Sequence, residues 1–345
     1  MVGDGTTTRL LPSRARLLDV ARLAGVSVKT VSRVVTGHQN VSKHTRERVT
    51  QAAQQLRFRP NHLARDLRQG GVSRTMAFVI GDLTNPFYAQ VAAGVEQGLA
   101  DEGLTMVIAV THDDPAQEAR VVSTMLERRV HSLLLVPIAA DQSYLAGELQ
   151  LGTPIICLDR PAQNLAADSV VIANRAGATD AVRSLLAHGH RRIAFIGSTV
   201  YTNDERLAGY RQALFDFGVA AVTEWERTDA VTAADADRAT RELLAAPVTP
   251  TAILAGDNRI STGVLRALRD TQREVALIGF DDFDLAETLS ITVVSHDAGQ
   301  MGREAVRLAL ARHEDLSGPP MQSVIPARLT LRGSGETPPP RSRLY

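Results

Sequence analysis

At 345 residues and 44% hydrophobic content, the chain is long enough for more than one buried core and too apolar to stay disordered. Its one cysteine rules out an intrachain disulfide framework, and no apolar run reaches the roughly 20 residues that a membrane helix requires. The 38 basic and 38 acidic residues cancel only in sum: residues 1–75 hold 14 and 4 of them, leaving 24 and 34 for the rest, a head of +10 on a body of −10. A basic head points to nucleic acid, and an acidic body keeps itself off the phosphates.

Residues 1–16 lack the long apolar centre and small-residue cleavage pattern of a secretory leader. They read as a flexible basic arm, with Arg9, Arg14 and Arg16 available for nonspecific phosphate contact. From Leu17 to Val35 the run LLDVARLAGVSVKTVSRVV has the punctuation of a helix-turn-helix. Val20, Ala21 and Ala24 recur at helical spacing, Gly25 suits a tight turn, and the Ser27 hydroxyl can cap a second helix. On that helix Val31, Val34 and Val35 share one face, leaving Val28, Lys29, Ser32 and Arg33 to point elsewhere. A third helix is expected from Lys43 to Leu56, capped by Ser42 and closing the core with Val49, Ala52, Ala53 and Leu56. Spacing alone also allows a plain three-helix bundle with solvated charges; the charge asymmetry favours DNA. Pro60 is expected to end the third helix, and HLARDLR then offers about two turns, too few to be stable alone.

From Thr75 the pattern changes to short apolar runs, TMAFVIGD, TMVIAV, SLLLVP, PIICLD, RRIAFIG, TAILAG and EVALIGF, separated by helical segments such as Phe87 to Glu102 and Gln117 to Arg128. That alternation predicts doubly wound parallel sheets, and the length of the body predicts two lobes. Ligands in such sheets collect beyond the carboxyl ends of the strands. Phe87 and Tyr88 follow the first strand, Asp159 follows IICL, Arg206 opens the ERLAGYRQAL helix, Asp257 follows TAILAG and Asp281 follows ALIGF. Aromatic faces, carboxylates and an arginine suit a sugar or nucleoside, although each polar residue taken singly could be an ordinary helix cap.

The segments DVARLAGVSVKTVSRVV, NVSKHTRERV and RFRPNHLARDLR resemble the DNA-binding headpiece of the LacI/GalR family of bacterial repressors, without a gap from Leu17 to Leu67. The resemblance implies that Val28, Lys29 and Arg33 face base edges and that Ser27, Thr30, Ser32, Ser42, Thr45 and Asn61 face phosphates. It further implies paired hinge helices in the minor groove, with Leu67 wedged between base pairs; otherwise this stretch is a solvated linker. By the same resemblance Val28 would make an apolar contact, such as with a thymine methyl, and Phe58 stands where a tyrosine is common. The body is similar to a periplasmic-sugar-binding-protein fold, and the strand-end residues match positions that touch effector in relatives. It departs at Gly256-Asp257-Asn258, where the amide is displaced, and at the alanine-rich segment Thr228 to Asp237 after Trp225, where relatives supply an aromatic lid.

The expected architecture is therefore a small all-α helix-turn-helix headpiece plus an α/β two-lobed, periplasmic-binding-protein-like domain. Its parts are a flexible arm (1–16), a DNA-binding domain (17–59), a hinge helix and linker (60–74), an effector-binding and dimerisation domain (75–332) and a disordered tail (333–345). The expected function is a cytoplasmic, homodimeric transcriptional regulator, most simply a repressor, on a near-palindromic operator and under the control of a sugar or nucleoside. Alternatives are a regulator whose body binds a protein partner, and a sugar-processing enzyme, for which no acid, base and nucleophile set is evident. No cofactor or metal is expected: His188-Gly189-His190 reads as a helix stop, and Asp281, Asp282 and Asp284 as caps or ligand contacts. Cys157 lies inside an apolar strand, in keeping with a reducing compartment.

Overall fold

In a computed structural model, the chain divides into two units, Met1–Val72 and Ser73–Tyr345, and residues 15–35, 40–58 and 73–340 are described. Arg9 and Arg14 of the arm, Pro60, and the expected hinge helix with Asn61 and Leu67 lie outside the described residues.

The first unit contains α1 (Leu17–Ala24), α2 (Val28–Val35) and α3 (Lys43–Gln55). Gly25 ends α1 with φ 62°, a left-handed turn that costs glycine nothing. Ser27 Oγ accepts from Thr30 N at 3.1 Å, and Ser42 Oγ accepts from Thr45 N at 3.3 Å, so both serines cap as their positions predict. Val20, Ala21, Ala24, Val31, Val49 and Ala52 form the core, with Phe58 packed against it. The third helix stops at Gln55, with Arg57 in the left-handed region at φ 49°, so the chain leaves the helix before Pro60 rather than at it.

In the second unit, the first lobe runs β1 (Thr75–Ile80), α4 (Pro86–Leu99), β2 (Thr105–Val110), α5 (Pro115–Glu127), β3 (Ser132–Leu135), α6 (Ala146–Gln150), β4 (Ile155–Asp159) and β5 (Asp168–Ile172). The second lobe continues with α7 (Asn174–Ala187), β6 (Ile193–Ile196), α8 (Tyr201–Asp216), β7 (Glu226–Arg227), α9 (Ala233–Ala245) and β8 (Ala252–Ala255). It closes with α10 (Asn258–Thr271), β9 (Ala276–Phe280), α11 (Asp284–Thr288) and β10 (Thr292–His296). The chain then returns to the first lobe as α12 (Ala298–Glu314) and β11 (Gln322–Ile325), and ends in the second lobe with β12 (Ala327–Thr330). The sheet orders are β11-β5-β4-β3-β1-β2 and β12-β10-β9-β8-β6-β7.

All pairings are parallel except β10 with β12, which is antiparallel in the register Val293 to Thr330. The purely parallel expectation fails there because β11 runs parallel in the first sheet towards its cavity end and, with only Pro326 between them, β12 enters the second sheet from that end and runs away from it, against β10. The central strands β3, β4, β6, β8 and β9 are buried along their whole length, which explains their unbroken apolar runs. Helices α4 and α12 cross at Gly94 and Gly302; a Cβ at Gly94 would lie 2.0 Å from the Gly299 carbonyl oxygen, so backbone packs on backbone.

The tail corrects an expectation. Residues 333–340 are not disordered: Leu277 N donates to Ser334 O at 3.0 Å, Thr292 Oγ1 donates to Glu336 at 2.8 Å, and Gly335 packs against Ile278. Glycine and proline there serve a close approach to sheet β12-β10-β9 rather than solvation. His190 completes the docking, its ring 2.9 Å from Thr251 Oγ1 and 2.8 Å from Thr337 O, a structural use of the His188-Gly189-His190 turn.

Candidate functional site

The carboxyl ends of both sheets face a cavity of about 280 Å³ between the lobes of the second unit. Phe87, Tyr88, Asp159, Arg206, Asp257 and Asp281 all line it, so the six residues singled out at strand ends are brought together. Phe87 and Tyr88 sit on the first turn of α4, whose Pro86 follows the capping Asn85; their rings meet edge to face at 5.1 Å. Burial, and then the nearby Asp159, pushes the Tyr88 phenol up and keeps it neutral.

Arg206 organises the second lobe's wall. It does not open its helix, which starts earlier at Tyr201, but projects from the second turn of α8. Its Nε donates to Asn174 Oδ1 at 2.8 Å, its Nη1 donates to the Gly256 carbonyl, and its Nη2 lies 3.4 Å from Asp281 Oδ1. The guanidinium stacks 3.7 Å from the centre of the Phe280 ring. Asp281 also faces His296 Nε2 at 2.9 Å. Burial pushes the Asp281 carboxyl up, but Arg206, followed by His296, outweighs it and holds the carboxyl below the ordinary value. Asp159 and Asp281 take similar places, the one ending β4 and the other following β9, both left-handed at φ 69° and 65°, and each lies beside an arginine. Left-handed aspartates are a strain that folds tolerate where a side chain must be aimed.

Asp257 is both cap and cavity residue: its Oδ1 accepts from Ile260 N at 2.9 Å. Burial raises its carboxyl above the ordinary value, with Arg259 only partly offsetting. A raised carboxyl contributes stability at low pH that is lost as pH climbs from the ordinary carboxylate range towards the folded value. Asp257→Asn keeps the capping oxygen and removes the buried charge, so it is expected to unfold at the same or higher temperature at pH 7 and to flatten that loss. Thermal unfolding between pH 4 and 7 checks this; a variant markedly less stable at pH 7 contradicts it.

Asp282, beside Asp281, is held by Arg332 at 2.7 and 2.8 Å and serves the tail, so the two acids are not a catalytic pair. Trp225 packs on the second lobe's core, and Val231 lines the cavity. Sequence reasoning passed over Asp82, Asn85, Arg160, Asn203 and Arg259, which line the cavity too. Asn258 Nδ2 donates to Asn85 Oδ1 at 3.1 Å and Arg259 lies 3.6 Å from Asp82, two polar bridges between the lobes. Their common signal was position: each lies within a few residues of a strand end or on the first turns of the helix that follows.

In the first unit, Val28, Lys29 and Arg33 are exposed on α2, Thr30, Ser32 and Thr45 are half-buried, and Ser27 and Ser42 are exposed caps. Val28, 40% exposed, leaves an apolar surface on the first turn of the helix. Among the described residues no helix is long and apolar enough to cross a membrane, and no cluster of three or more metal-ligating side chains occurs.

Residues 16–61 match the family described as bacterial regulatory proteins, lacI family, and residues 182–335 match the periplasmic binding protein-like domain. The ribose operon repressor of Escherichia coli (strain K12) is 30% identical over 307 residues, covering 86% of this chain and 93% of that one. The chain belongs to the LacI/GalR family of bacterial transcriptional regulators. Like other LacI/GalR proteins it is a DNA-binding transcriptional regulator with an effector domain, and its relatives are repressors rather than enzymes. Among solved structures, the lac repressor dimer bound to operator and the anti-inducer ONPF has a TM-score of 0.82 at 25% identity, covering 94% of this chain and all of that one. The transcriptional regulator CelR in complex with cellobiose has a TM-score of 0.69 at 31% identity, covering 93% of this chain and 100% of that one.

Proposed function

We propose that this LacI/GalR protein is a cytoplasmic repressor that binds a near-palindromic operator as a homodimer and changes its grip when a sugar enters the cavity between the lobes. The observation that carries the reading is the convergence of Phe87, Tyr88, Asp159, Arg206, Asp257 and Asp281 on one cavity. Paired carboxylates and an arginine offer acceptors and donors to hydroxyls, and the two aromatic rings offer a face to the C–H side of a sugar. The relatives named for ribose and bound to cellobiose, and the one crystallised as a dimer on operator, support the same reading. A sugar held by groups from both lobes favours the arrangement in which those groups converge, which is how it biases one of two states.

In the first unit, α2 is the reading helix. Val28, Lys29 and Arg33 face base edges, and Ser27, Thr30, Ser32, Ser42 and Thr45, with Asn61 beyond the described residues, position the headpiece on phosphates. Residues 17–59 form the DNA-binding domain, 60–74 the hinge with Leu67 as its wedge, and 75–332 the effector and dimerisation domain. Arg33→Ala is expected to cost about 1–3 kcal/mol and to relax preference at one base position if Arg33 donates to guanine. Binding to a randomised operator library measures this; a uniform loss across all sequences makes Arg33 a phosphate contact instead.

The deciding experiment is operator binding by the purified protein on DNA flanking its own gene, with and without a panel of sugars and nucleosides. Release or tightening by a sugar supports the reading. Specific binding that no compound alters moves the body towards a protein partner.

A further inference from the structure

We propose that Asp82 and Asn85 of the first lobe and Asn258 and Arg259 of the second form a latch that fixes the spacing of the lobes and limits the effector to a single sugar ring. The inference deepens the sugar reading above and rests on it; none of the four residues has to touch the sugar. The first-lobe pair lies in the short link between β1 and α4, and the second-lobe pair is the first two residues of α10. Asn258 Nδ2 donates to Asn85 Oδ1 at 3.1 Å, and Arg259 Nη1 lies 3.6 Å from Asp82 Oδ2. Beside them the rings of Phe87 in the first lobe and His296 in the second meet edge to face at 5.6 Å. These contacts join protein to protein, so they hold the lobes at one separation whatever the effector contributes.

Each half of the latch is anchored in its own lobe. Thr84 donates to Asp82 Oδ1 from its backbone nitrogen and from its hydroxyl, both at 2.8 Å, which aims the carboxylate. Asn85 caps α4 by accepting from Phe87 N at 3.1 Å. A backbone N–H can only donate, so the oxygen of Asn85 is the atom on that side, and Asn258 presents its NH₂ to the same oxygen. On the other lobe α10 begins at Asp257, whose carboxylate accepts from Ile260 N at 2.9 Å. Asn85 and Asn258 are buried, whereas the side chains of Asp82 and Arg259 are 27% and 35% exposed, so the ion pair is the part of the latch that salt can screen.

Asp82, Asn85 and Arg259 also line the cavity, so the separation that the latch sets is the width open to a ligand. That space is about 280 Å³, just below the roughly 300–1,000 Å³ usual for ligand sites, and it suits one ring rather than two. A second ring has to move the lobes apart, which stretches the 3.1 Å and 3.6 Å contacts across the cleft while the anchoring hydrogen bonds inside each lobe stay intact. The latch therefore adds a cost that falls on large ligands alone. For a ligand small enough to leave it closed, it lowers the cost of bringing the lobes together.

The test titrates the full chain calorimetrically with neutral aldoses and with disaccharides that contain them. The wild type is expected to bind one aldose at least about tenfold more tightly than its disaccharides. Asp82→Asn keeps the oxygen that Thr84 holds and removes the charge, and Arg259→Gln removes the charge on the other side. Each should bind the aldose about two- to threefold more weakly and the disaccharides no more weakly, so the ratio narrows. Raising salt from about 0.05 to about 0.5 M should narrow the wild-type ratio and leave that of Asp82→Asn unchanged. Arg259→Asp sets two carboxylates face to face and should narrow the ratio further, and adding Asp82→Arg to it should restore the ratio. A direct contact with the sugar would weaken both classes alike and would not be rescued by the swap. Equal losses for both classes, a ratio unchanged in every variant, or a wild type that binds disaccharides at least as tightly as aldoses overturns the latch alone. A wild type that binds no neutral sugar overturns the sugar reading and the latch with it.

Discussion

Arg206→Ala is expected to abolish the response to effector and to destabilise the body by about 3–5 kcal/mol, the range for breaking a buried charge pair. The loss is large because one guanidinium serves Asn174, the Gly256 carbonyl and Asp281 and also covers Phe280. Its removal leaves Asp281 buried with His296 as its remaining side-chain partner. Arg206→Lys should recover little, since a single ammonium cannot span three acceptors. The pH dependence carries the sign. Asp281 is held below its ordinary value, so its contribution is complete above the unfolded carboxylate range and disappears as pH falls through the lower folded value. In Arg206→Ala the folded value rises, and acid unfolding should begin at higher pH. Chemical unfolding across pH 2–7 and operator binding with and without sugar measure both parts; a variant that keeps its effector response removes Arg206 from the site.

Glu118→Ala should cost about 3 kcal/mol or more and lower the unfolding midpoint by roughly 6–12 °C. Glu118 lies on α5, fully buried, and among the described residues no arginine or lysine pairs with it. Its two oxygens accept from Ile138 N, from Ala139 N at 2.9 Å, from Gln142 Nε2 at 3.2 Å and from Tyr144 Oη at 2.9 Å. Four donors converge on one carboxylate, so truncation strands all of them. Glu118→Gln should cost about half as much, because its NH₂ faces two donors while its oxygen still serves the other two. Since Ile138 lines the cavity, the glutamine variant should also weaken effector binding several-fold while operator binding persists. Differential scanning calorimetry beside effector titration separates these, and a Glu118→Gln protein as stable as wild type would mean that the loop finds other acceptors.

The apolar runs of β1, β3, β4, β6, β8 and β9 were legible because strands sandwiched between helices need hydrophobic residues on both faces, whereas β2 keeps such a run at an exposed sheet edge. β5, β10, β11 and β12 were not, because polar side chains interrupt them and the partners of those side chains are remote in sequence. Asp168 in β5 is buried because Arg312, 144 residues away, grips it at 2.6 and 2.7 Å; no local pattern announces that pair. Five of the six cavity residues were readable because they end or directly follow strands or open the helices that come next, and Arg206 lies one turn further into its helix. Asn203 escaped notice because nothing local marks it: it lines the cavity with its amide packed against glycines of two other segments. The docked tail was misread for a related reason: glycine and proline mark both loose chain and chain that lies close against a sheet.

The polypeptide passes between the lobes after β5, after β10 and after β11, so neither lobe is a contiguous stretch of chain. On the ribosome this sets an order of events. The headpiece helices emerge first and can form from local contacts, while the first lobe waits for β11 and the second for β12. At about 5–20 residues per second that interval is on the order of tens of seconds. During it the nascent chain carries a helix-turn-helix with no finished sensor behind it. A message cut short before residue 322 would yield neither lobe complete, and its product would be a target for proteolysis rather than an unregulated repressor.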